Sequence, residues 1–441
     1  MRKFLGLILV VSGIVLGSIY FINNYVSTEI EKILLEKLKE DPDLDIRYGK
    51  LNFTIIPLKL TFDTVILKQE DLIIKSDQLS LSGWPEELPS KDDINEGKFK
   101  LSFSDLEVDL IGFSVGDNDN KININQVKSN IGIDIDFEGK TFKINKLSSI
   151  YNGVNALGED DNRFSLSSGR YYFEGLLDGD NLDNSYIETI EIAVESFDFE
   201  NQEILLEIES GEFNAEGYLS SSDNYQIESL MYNINGINLS KDGRYIGALQ
   251  KSKLDFIGSI NTQKNIYNLN SFRVAVQNLD SPIGEEDFLQ IKNGEIDFTA
   301  NQAVYLDRLE TENLLTNREN YTFKFFLEDY SFPRILSREL DLDDFGIDDI
   351  YGSLIKGGIS KNNTNADVDF EIRTPLLGNI RLNGGYDFSL SKTNPQIDVS
   401  IQLEDVNREV RRLIRMTGLR FRDENGILKF TYNGELEKLF Y

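Results

Sequence analysis

The chain has 441 residues, enough for two to three domains or for one elongated, repetitive domain. It carries 75 acidic and 45 basic residues, and the formal charge of −30 argues against a nucleic-acid partner because phosphates bind basic surfaces. Histidine and cysteine are absent, which excludes Ser-His-Asp and Cys-His catalysis, imidazole or thiolate zinc sites and disulfides. A scaffold, a carrier or a carboxylate-based site remains, and we predict no catalytic residue, no metal site and no cofactor.

Residues 1–23 form a predicted transmembrane signal anchor. Nineteen uncharged, mostly apolar residues run from Phe4 to Ile22, and as a helix they span about 30 Å of hydrocarbon. Arg2 and Lys3 precede this run, so the positive-inside rule keeps the N-terminus in the cytoplasm and exports the rest of the chain. A cleaved signal peptide is the alternative, although the apolar run is longer than an ordinary signal-peptide core.

Residues 24–44 predict a short helical stalk. Apolar residues recur there mostly at three- and four-residue steps, and charged residues fill the other face. The apolar stripe consists of Tyr25, Ile30, Ile33, Leu34 and Leu38. It is consistent with a partner helix, with a helix resting on the membrane surface, or with packing on the first strands of the exported region.

Residues 45–404 change to an apolar period of two, which is typical of antiparallel strands with one dry and one solvated face. We therefore predict a mainly β protein with an elongated antiparallel sheet, and no helix before about Asp405. Stacked β-sandwiches are the alternative. The predicted lining of the dry face is Ile131, Ile133, Ile135, Phe137, Val194, Ile234, Val276, Ile397, Val399, Ile401 and Leu403.

A weak repeat of about 42 residues covers 144–281, and such repeats predict a quasi-one-dimensional architecture. Its four copies start at Ile144, Ile187, Ile227 and Leu269. Each copy has an apolar residue or tyrosine at the eighth position, then a small or turn-forming residue, then another apolar residue. The small or turn-forming residues are Gly153, Ser196, Gly236 and Asn278. A meander of similar strands could produce the same pattern by chance.

The acidic segments carry no site that the sequence identifies. Residues 178–184 concentrate three carboxylates and two amides, as calcium loops do, but lack the central glycine and distal glutamate of an EF-hand. A plain hairpin turn is the simpler interpretation. A hydrolase built on two carboxylates would need a pair that the sequence does not single out.

Residues 405–441 predict a basic amphipathic helix followed by a C-terminal strand. The four arginines on the predicted helix, which would contact a lipid headgroup or a partner, are Arg408, Arg411, Arg412 and Arg415. They would equally neutralise the acidic sheet beneath the helix.

The layout resembles the AsmA-like family of bacterial envelope proteins. A short basic N-terminus, one anchor and a short helix precede a long succession of amphipathic strands. Gly49, Leu51, Pro57 and Leu60 look like the opening of that family's exported region, and residues 374–384 are similar to a phrase near its C-termini. The resemblance implies a single-pass inner-membrane protein with most of the chain in the periplasm. It also implies a sheet folded into a groove that accommodates lipid acyl chains.

We therefore expect a non-enzymatic protein of lipid transport or outer-membrane maintenance. Its expected partners are the inner membrane, through Phe4 to Ile22, a phospholipid or other lipid ligand, and envelope proteins, but no nucleic acid. An envelope assembly or adhesion scaffold built from closed β-sandwiches is the alternative of a different class.

Overall fold

A computed structural model describes most of the chain from residue 45 onward. The described residues are 45–54, 59–69, 72–87, 90, 99–117, 120–136, 138–139, 141–158, 162–179, 181, 184–220, 225–261, 266–282, 288–305, 320–339, 350–375, 377–389, 394–416 and 419–439. The predicted anchor at Phe4–Ile22, the predicted stalk at 24–44 and the predicted lining residue Phe137 lie outside them. Within the described ranges, no helix is both long enough and apolar enough to cross a membrane.

The described strands are 21 in number and belong to one open antiparallel sheet. The chain divides into two compact units, Met1–Tyr225 and Gln226–Tyr441. The prediction of a mainly β protein is therefore confirmed. The stacked-sandwich alternative, which requires paired sheets, does not describe these strands.

The first unit is a meander in which each strand from β3 to β10 pairs with the next. Its edge is formed by β1 and β2, which pair with successive halves of β3. The strands are β1 (Asp45–Tyr48), β2 (Leu51–Thr54), β3 (Lys59–Gln69), β4 (Leu72–Ser82), β5 (Lys100–Gly116), β6 (Lys121–Asp136), β7 (Thr141–Leu157), β8 (Arg163–Asp178), β9 (Tyr186–Glu200) and β10 (Ile204–Ser220).

The second unit continues the same pattern from β11 to β19, after which β21 pairs with both β19 and β20. The strands are β11 (Tyr225–Lys241), β12 (Arg244–Asn261), β13 (Ile266–Pro282), β14 (Phe288–Tyr305), β15 (Tyr321–Phe332), β16 (Ile350–Asn362), β17 (Asn365–Thr374), β18 (Gly378–Asp387), β19 (Gln396–Glu404), β20 (Arg422–Glu424) and β21 (Ile427–Glu435).

Within the described residues of the second unit, three short helices interrupt or follow the strands. They are α1 (Arg334–Glu339), α2 (Arg408–Met416) and a 3₁₀ turn (Leu436–Leu439). The expectation of no helix before about Asp405 was wrong at α1. That helix follows Pro333 and spans only six residues, too few to produce a helical period in the sequence.

The strand registers place apolar and polar residues on opposite faces of each unit, as the alternation predicts. One cross-strand row of the first unit runs through Leu106, Ile131, Leu147, Phe173, Ile190 and Ala215. The adjacent row, on the other face, runs through Glu107, Asn130, Ser148, Tyr172, Glu191 and Asn214. We call these the apolar face and the polar face.

The second unit has the same two faces. An apolar row crosses ten strands through Tyr232, Leu254, Val274, Ile296, Phe325, Gly357, Phe370, Leu382, Ile401 and Phe430. The adjacent polar row runs through Met231, Asp255, Arg273, Asp297, Lys324, Gly358, Asp369, Asn383, Ser400 and Thr431.

Every odd-numbered strand from β3 to β15 contains one residue in the left-handed region, with φ between 44° and 63°. We call these the left-handed positions: Thr64, Gly112, Gly153 and Ser196 in the first unit, and Gly236, Asn278 and Asp329 in the second. Four of the seven are the small or turn-forming residues of the sequence repeat. The repeated feature is thus a backbone irregularity placed once in every two strands.

The left-handed positions keep the apolar side chains on one face. At Ser196 and at Asn278 the residue and its predecessor, Glu195 or Gln277, are both exposed, so two consecutive side chains point to solvent. The apolar alternation then resumes one residue out of phase, as it does at a β-bulge. This explains why apolar residues three positions apart, such as Val194 and Phe197, belong to the same face.

Fully buried cores are local in both units. In the first unit Leu101, Phe103, Leu106, Ile133 and Ile135 form one cluster. In the second unit, Leu403 packs with Val406 and with Val410 of α2. Most other described residues of the apolar rows are only partly buried.

Candidate functional site

The predicted lining residues that the structure describes all lie on the apolar faces, but their burial differs. Ile133, Ile135, Ile397, Val399 and Leu403 are between 1% and 7% exposed and belong to packed cores. The partly exposed members are Ile131, Val194, Ile234, Val276 and Ile401. The described surface on which a ligand could lie is therefore formed by the second group and its row neighbours.

In the first unit an aromatic ring fills the gap left by a glycine. Tyr151 pairs with Gly169, which pairs in turn with Val194. A Cβ at Gly169 would clash with Cε2 of Tyr151, so the ring lies directly over the glycine. Burial raises the pKa of Tyr151 and of the neighbouring Tyr171, so both phenols stay neutral. This part of the face is therefore aromatic and carries no charge.

In the second unit the apolar face is rich in phenylalanine. Phe325 and Phe370 meet across Gly357, with ring centroids 5.8 Å apart, and a Cβ at Gly357 would stand 2.7 Å from the Phe325 ring. Ile296, the cross-strand partner of Phe325, is 43% exposed. A large apolar side chain in the middle of the row thus remains open to solvent.

Helix α2 covers one end of this face. Its Val410 and Ile414, together with Val406, pack on Leu403 and Ile380 of the sheet. Asn407 caps the helix, since its Oδ1 accepts a 2.8 Å hydrogen bond from the Val410 backbone amide. The helix therefore uses its apolar side to close the sheet end and turns its basic side outward.

The arginines predicted to contact a headgroup or partner differ in their surroundings. Arg411 lies 3.6 Å from Asp423, and its Nε donates a 3.4 Å hydrogen bond to the Val406 carbonyl. Arg408 and Arg412 are exposed. The Arg415 side chain lies outside the described residues. Arg408 and Arg412 are accordingly the described members that present a free basic surface.

The cavities that the structure describes are lined mainly by residues of the polar face. One of about 970 Å³ lies over β14–β19 and has Glu295, Asp297, Asp367, Asp369 and Asp398 in its lining. Among the described residues, no group of three or more carboxylates is placed to hold a metal ion. Phe325 and Gly357 of the ten-strand apolar row also belong to this lining.

The predicted acidic turn begins at the end of β8. Asp178 is 5% exposed, and its carboxylate lies 3.5 Å from the ammonium group of Lys143. The carboxylate also accepts a 3.3 Å hydrogen bond from the backbone amide of Asn181. Its own amide donates to the Ser185 hydroxyl at 3.0 Å. These contacts are typical of a hairpin turn that the Asp178 carboxylate helps to close.

Sequence reasoning missed one charged cluster on the polar face of the second unit. The buried carboxylate of Glu371 is surrounded by Lys356, Arg373 and Arg381. Lys356, Glu371 and Arg381 face one another across three neighbouring strands, and these opposite charges are the signal that could have found the cluster once the strand register was known.

Comparisons with protein-family models, with curated proteins and with solved structures found no match to this chain.

Proposed function

We propose that this chain is a non-enzymatic protein of the bacterial envelope that binds lipid acyl chains along the apolar faces of its sheet, for lipid transport or outer-membrane maintenance. The single observation that carries the proposal is the ten-strand apolar row of the second unit. It contains apolar residues and one glycine, yet Ile296 in its middle is 43% exposed.

Acyl chains suit this surface for a physical reason. Burying a methylene group gains about 0.8 kcal/mol, so a chain with about ten buried methylenes gains on the order of 8 kcal/mol before its ordering cost is subtracted. The row supplies aromatic rings and branched side chains without a charged group. A contiguous apolar surface of this kind is otherwise a site of association or aggregation.

The ends of an amphiphilic lipid require different surroundings, and α2 supplies them. Its apolar residues continue the apolar face, while Arg408 and Arg412 are exposed on the helix. A phosphate-bearing headgroup beside those arginines would gain charge-assisted hydrogen bonds. The proposal places the protein in the inner membrane through Phe4–Ile22, with the β region in the periplasm, in line with the AsmA-like resemblance. The scaffold alternative relied on closed sandwiches, and no observation favours it.

The proposal is tested by lipid extraction and mass spectrometry of residues 24–441 purified without detergent. Val276→Asp puts a carboxylate on the apolar face, and the matched control Ala275→Asp puts one on the polar face of the same strand. We expect the lipid-to-protein ratio to fall several-fold in V276D and to stay unchanged in A275D. No lipid in the unmodified protein, or an equal loss in both variants, would contradict the proposal.

A further inference from the structure

Three cations converge on one buried carboxylate on the polar face of the second unit. Glu371 lies 3.0 Å from the ammonium group of Lys356, 2.7 Å from Nη2 of Arg373 and 3.2 Å from Nε of Arg381. Its side chain is only 8% exposed. One carboxylate cannot neutralise three cations, and within the described part of the chain these three have no second acidic partner. The cluster therefore carries excess positive charge.

The two arginines keep hydrogen-bond donors free. Arg373 uses Nε and Nη2 on Glu371, and Arg381 uses Nε. A guanidinium group has five N–H donors, so each arginine retains donors on its Nη atoms. Their side chains are 49% and 42% exposed, so these donors are accessible. A planar guanidinium fork suits the oxygens of a phosphate group.

Both arginines line a cavity of about 880 Å³ on the polar face. Hydroxyl groups also line it, from Ser331, Tyr351, Ser353 and Thr374. Asn379 belongs to the same lining: its Nδ2 donates to Glu404 at 3.1 Å, while its buried Oδ1 has no hydrogen-bond partner among the described residues. That oxygen is enclosed by protein, so the hydroxyl side chains of the lining are the groups that can bind a hydroxyl-bearing molecule.

Two carboxylates, those of Asp329 and Asp405, belong to the same lining and reduce its positive charge. Asp329 is held by Lys292, with Nζ and Oδ2 2.8 Å apart. Asp405 is exposed, and its backbone carbonyl group lies close to Gly378. An anion beside the two arginines would be repelled by Asp405, and this repulsion predicts the sign of a mutation.

We propose that this cavity binds a phosphate ester that carries hydroxyl groups, with Arg373 and Arg381 contacting the phosphate and the hydroxyl side chains of the lining binding the hydroxyl groups of the ester. The source of the ester is either a soluble molecule of the glycerol phosphate type or the headgroup of a phosphatidylglycerol-type lipid. The site is separate from the apolar face, so it stands whether or not acyl chains bind there.

Isothermal titration of the full chain with glycerol phosphate tests the site directly. We expect Arg373→Gln and Arg381→Gln each to weaken binding at least tenfold, and Asp405→Asn to strengthen it several-fold. Arg273→Gln is the matched control, because Arg273 lies on the polar face of the same unit and pairs one-to-one with Glu295 at 3.0 Å. It should bind as the unmodified chain does. Circular dichroism identifies any variant that fails to fold. If Arg381→Gln fails, Arg381→Lys is used in its place, because it keeps the charge but loses the planar fork of donors.

A second arm distinguishes the two sources. Binding of glycerol phosphate with vesicle binding unchanged in R373Q and R381Q assigns a soluble ester, and vesicle binding that is weaker in these two variants assigns a lipid headgroup. No binding of glycerol phosphate together with unchanged vesicle binding in R373Q and R381Q, or an equal loss in R273Q, would overturn the proposal.

Discussion

Glu371 is the residue with the most strongly shifted pKa of those described. Burial alone raises its pKa, and the hydrogen bonds from Lys356, Arg373 and Arg381 more than offset this, holding it at about 2 against an ordinary value of 4.5. Because the folded-state pKa is the lower one, the ion pairs stabilise the fold fully above pH 4.5. That stability is lost as the pH falls from about 4.5 to about 2.

The pH dependence of unfolding tests this cluster. Between pH 4.5 and pH 2 we expect the free energy of unfolding to fall by on the order of 1–2 kcal/mol through Glu371, less than the full pKa difference implies because the cations are half exposed. Glu371→Gln should be less stable at pH 7 and lose this part of the pH dependence. Glu212→Gln removes an exposed ion pair with Arg170 and should change neither the stability at pH 7 nor its dependence on pH. Urea unfolding at a series of pH values measures both.

The left-handed positions make a second prediction for single residues. Ser196 has a φ of 51°, which costs a residue other than glycine about 1 kcal/mol and a β-branched residue more. Ser196→Val should therefore lower the free energy of unfolding by about 1–2 kcal/mol. Ser196→Gly should change it by less than about 0.5 kcal/mol, because relieved strain offsets the added freedom of the unfolded chain.

The control lies in the same strand. Thr189 lies at an ordinary position of β9, where valine is favourable. Thr189→Val should therefore change the free energy of unfolding by less than about 0.5 kcal/mol. Equal destabilisation of both valine variants in urea unfolding would show that the left-handed conformation is not the cause.

The sequence predicted only part of these residue-scale features. The repeat singled out Gly153, Ser196, Gly236 and Asn278, because they recur at nearly constant spacing. Thr64 and Asp329 share their conformation but lie outside the repeat. Their left-handed geometry depends on the registers of the flanking strands, which a residue type alone does not specify.

At the scale of elements, the alternating pattern was sufficient to predict strands, because a strand exposes one face and buries the other. Long strands such as β12 and β14 follow directly from it. Helix α1 did not, since its six residues make fewer than two turns and leave no periodic signal. Helix α2 could be recognised from its apolar spacing, but its packing on Leu403 depends on contacts that are distant in sequence.

The exposed side of α2 makes a testable prediction. Arg408→Gln together with Arg412→Gln should weaken binding of the full chain to vesicles containing phosphatidylglycerol by several-fold. Each charge near an anionic surface contributes on the order of 1 kcal/mol. The matched control replaces two arginines of the first unit, Arg163→Gln and Arg170→Gln, and should bind as the unmodified chain does. Vesicle co-sedimentation measures the difference, and equal binding by both double variants would remove α2 from the headgroup contact.

At the scale of the whole molecule, the sequence predicted an antiparallel sheet but not which apolar residues are covered. Ile131 and Ile133 both lie on the apolar face of β6, two positions apart. Ile133 is 1% exposed because it packs with Leu101 and Phe103 from β5, whereas Ile131 lies at the margin of that cluster. Alternation assigns a face to each residue, and coverage depends on neighbours that meet only in the folded sheet.

The central claim is that acyl chains lie on the apolar face, and photo-crosslinking in the full chain tests it most directly. A benzophenone amino acid is placed at Val276 or at its neighbour Gln277, and at Val194 or at its neighbour Glu195, so that each pair differs in face alone. After irradiation in cells, intact-mass spectrometry detects lipid adducts. We predict adducts at 276 and 194 and only background at 277 and 195. Equal labelling within both pairs, or no adduct at 276 and 194, would contradict the account.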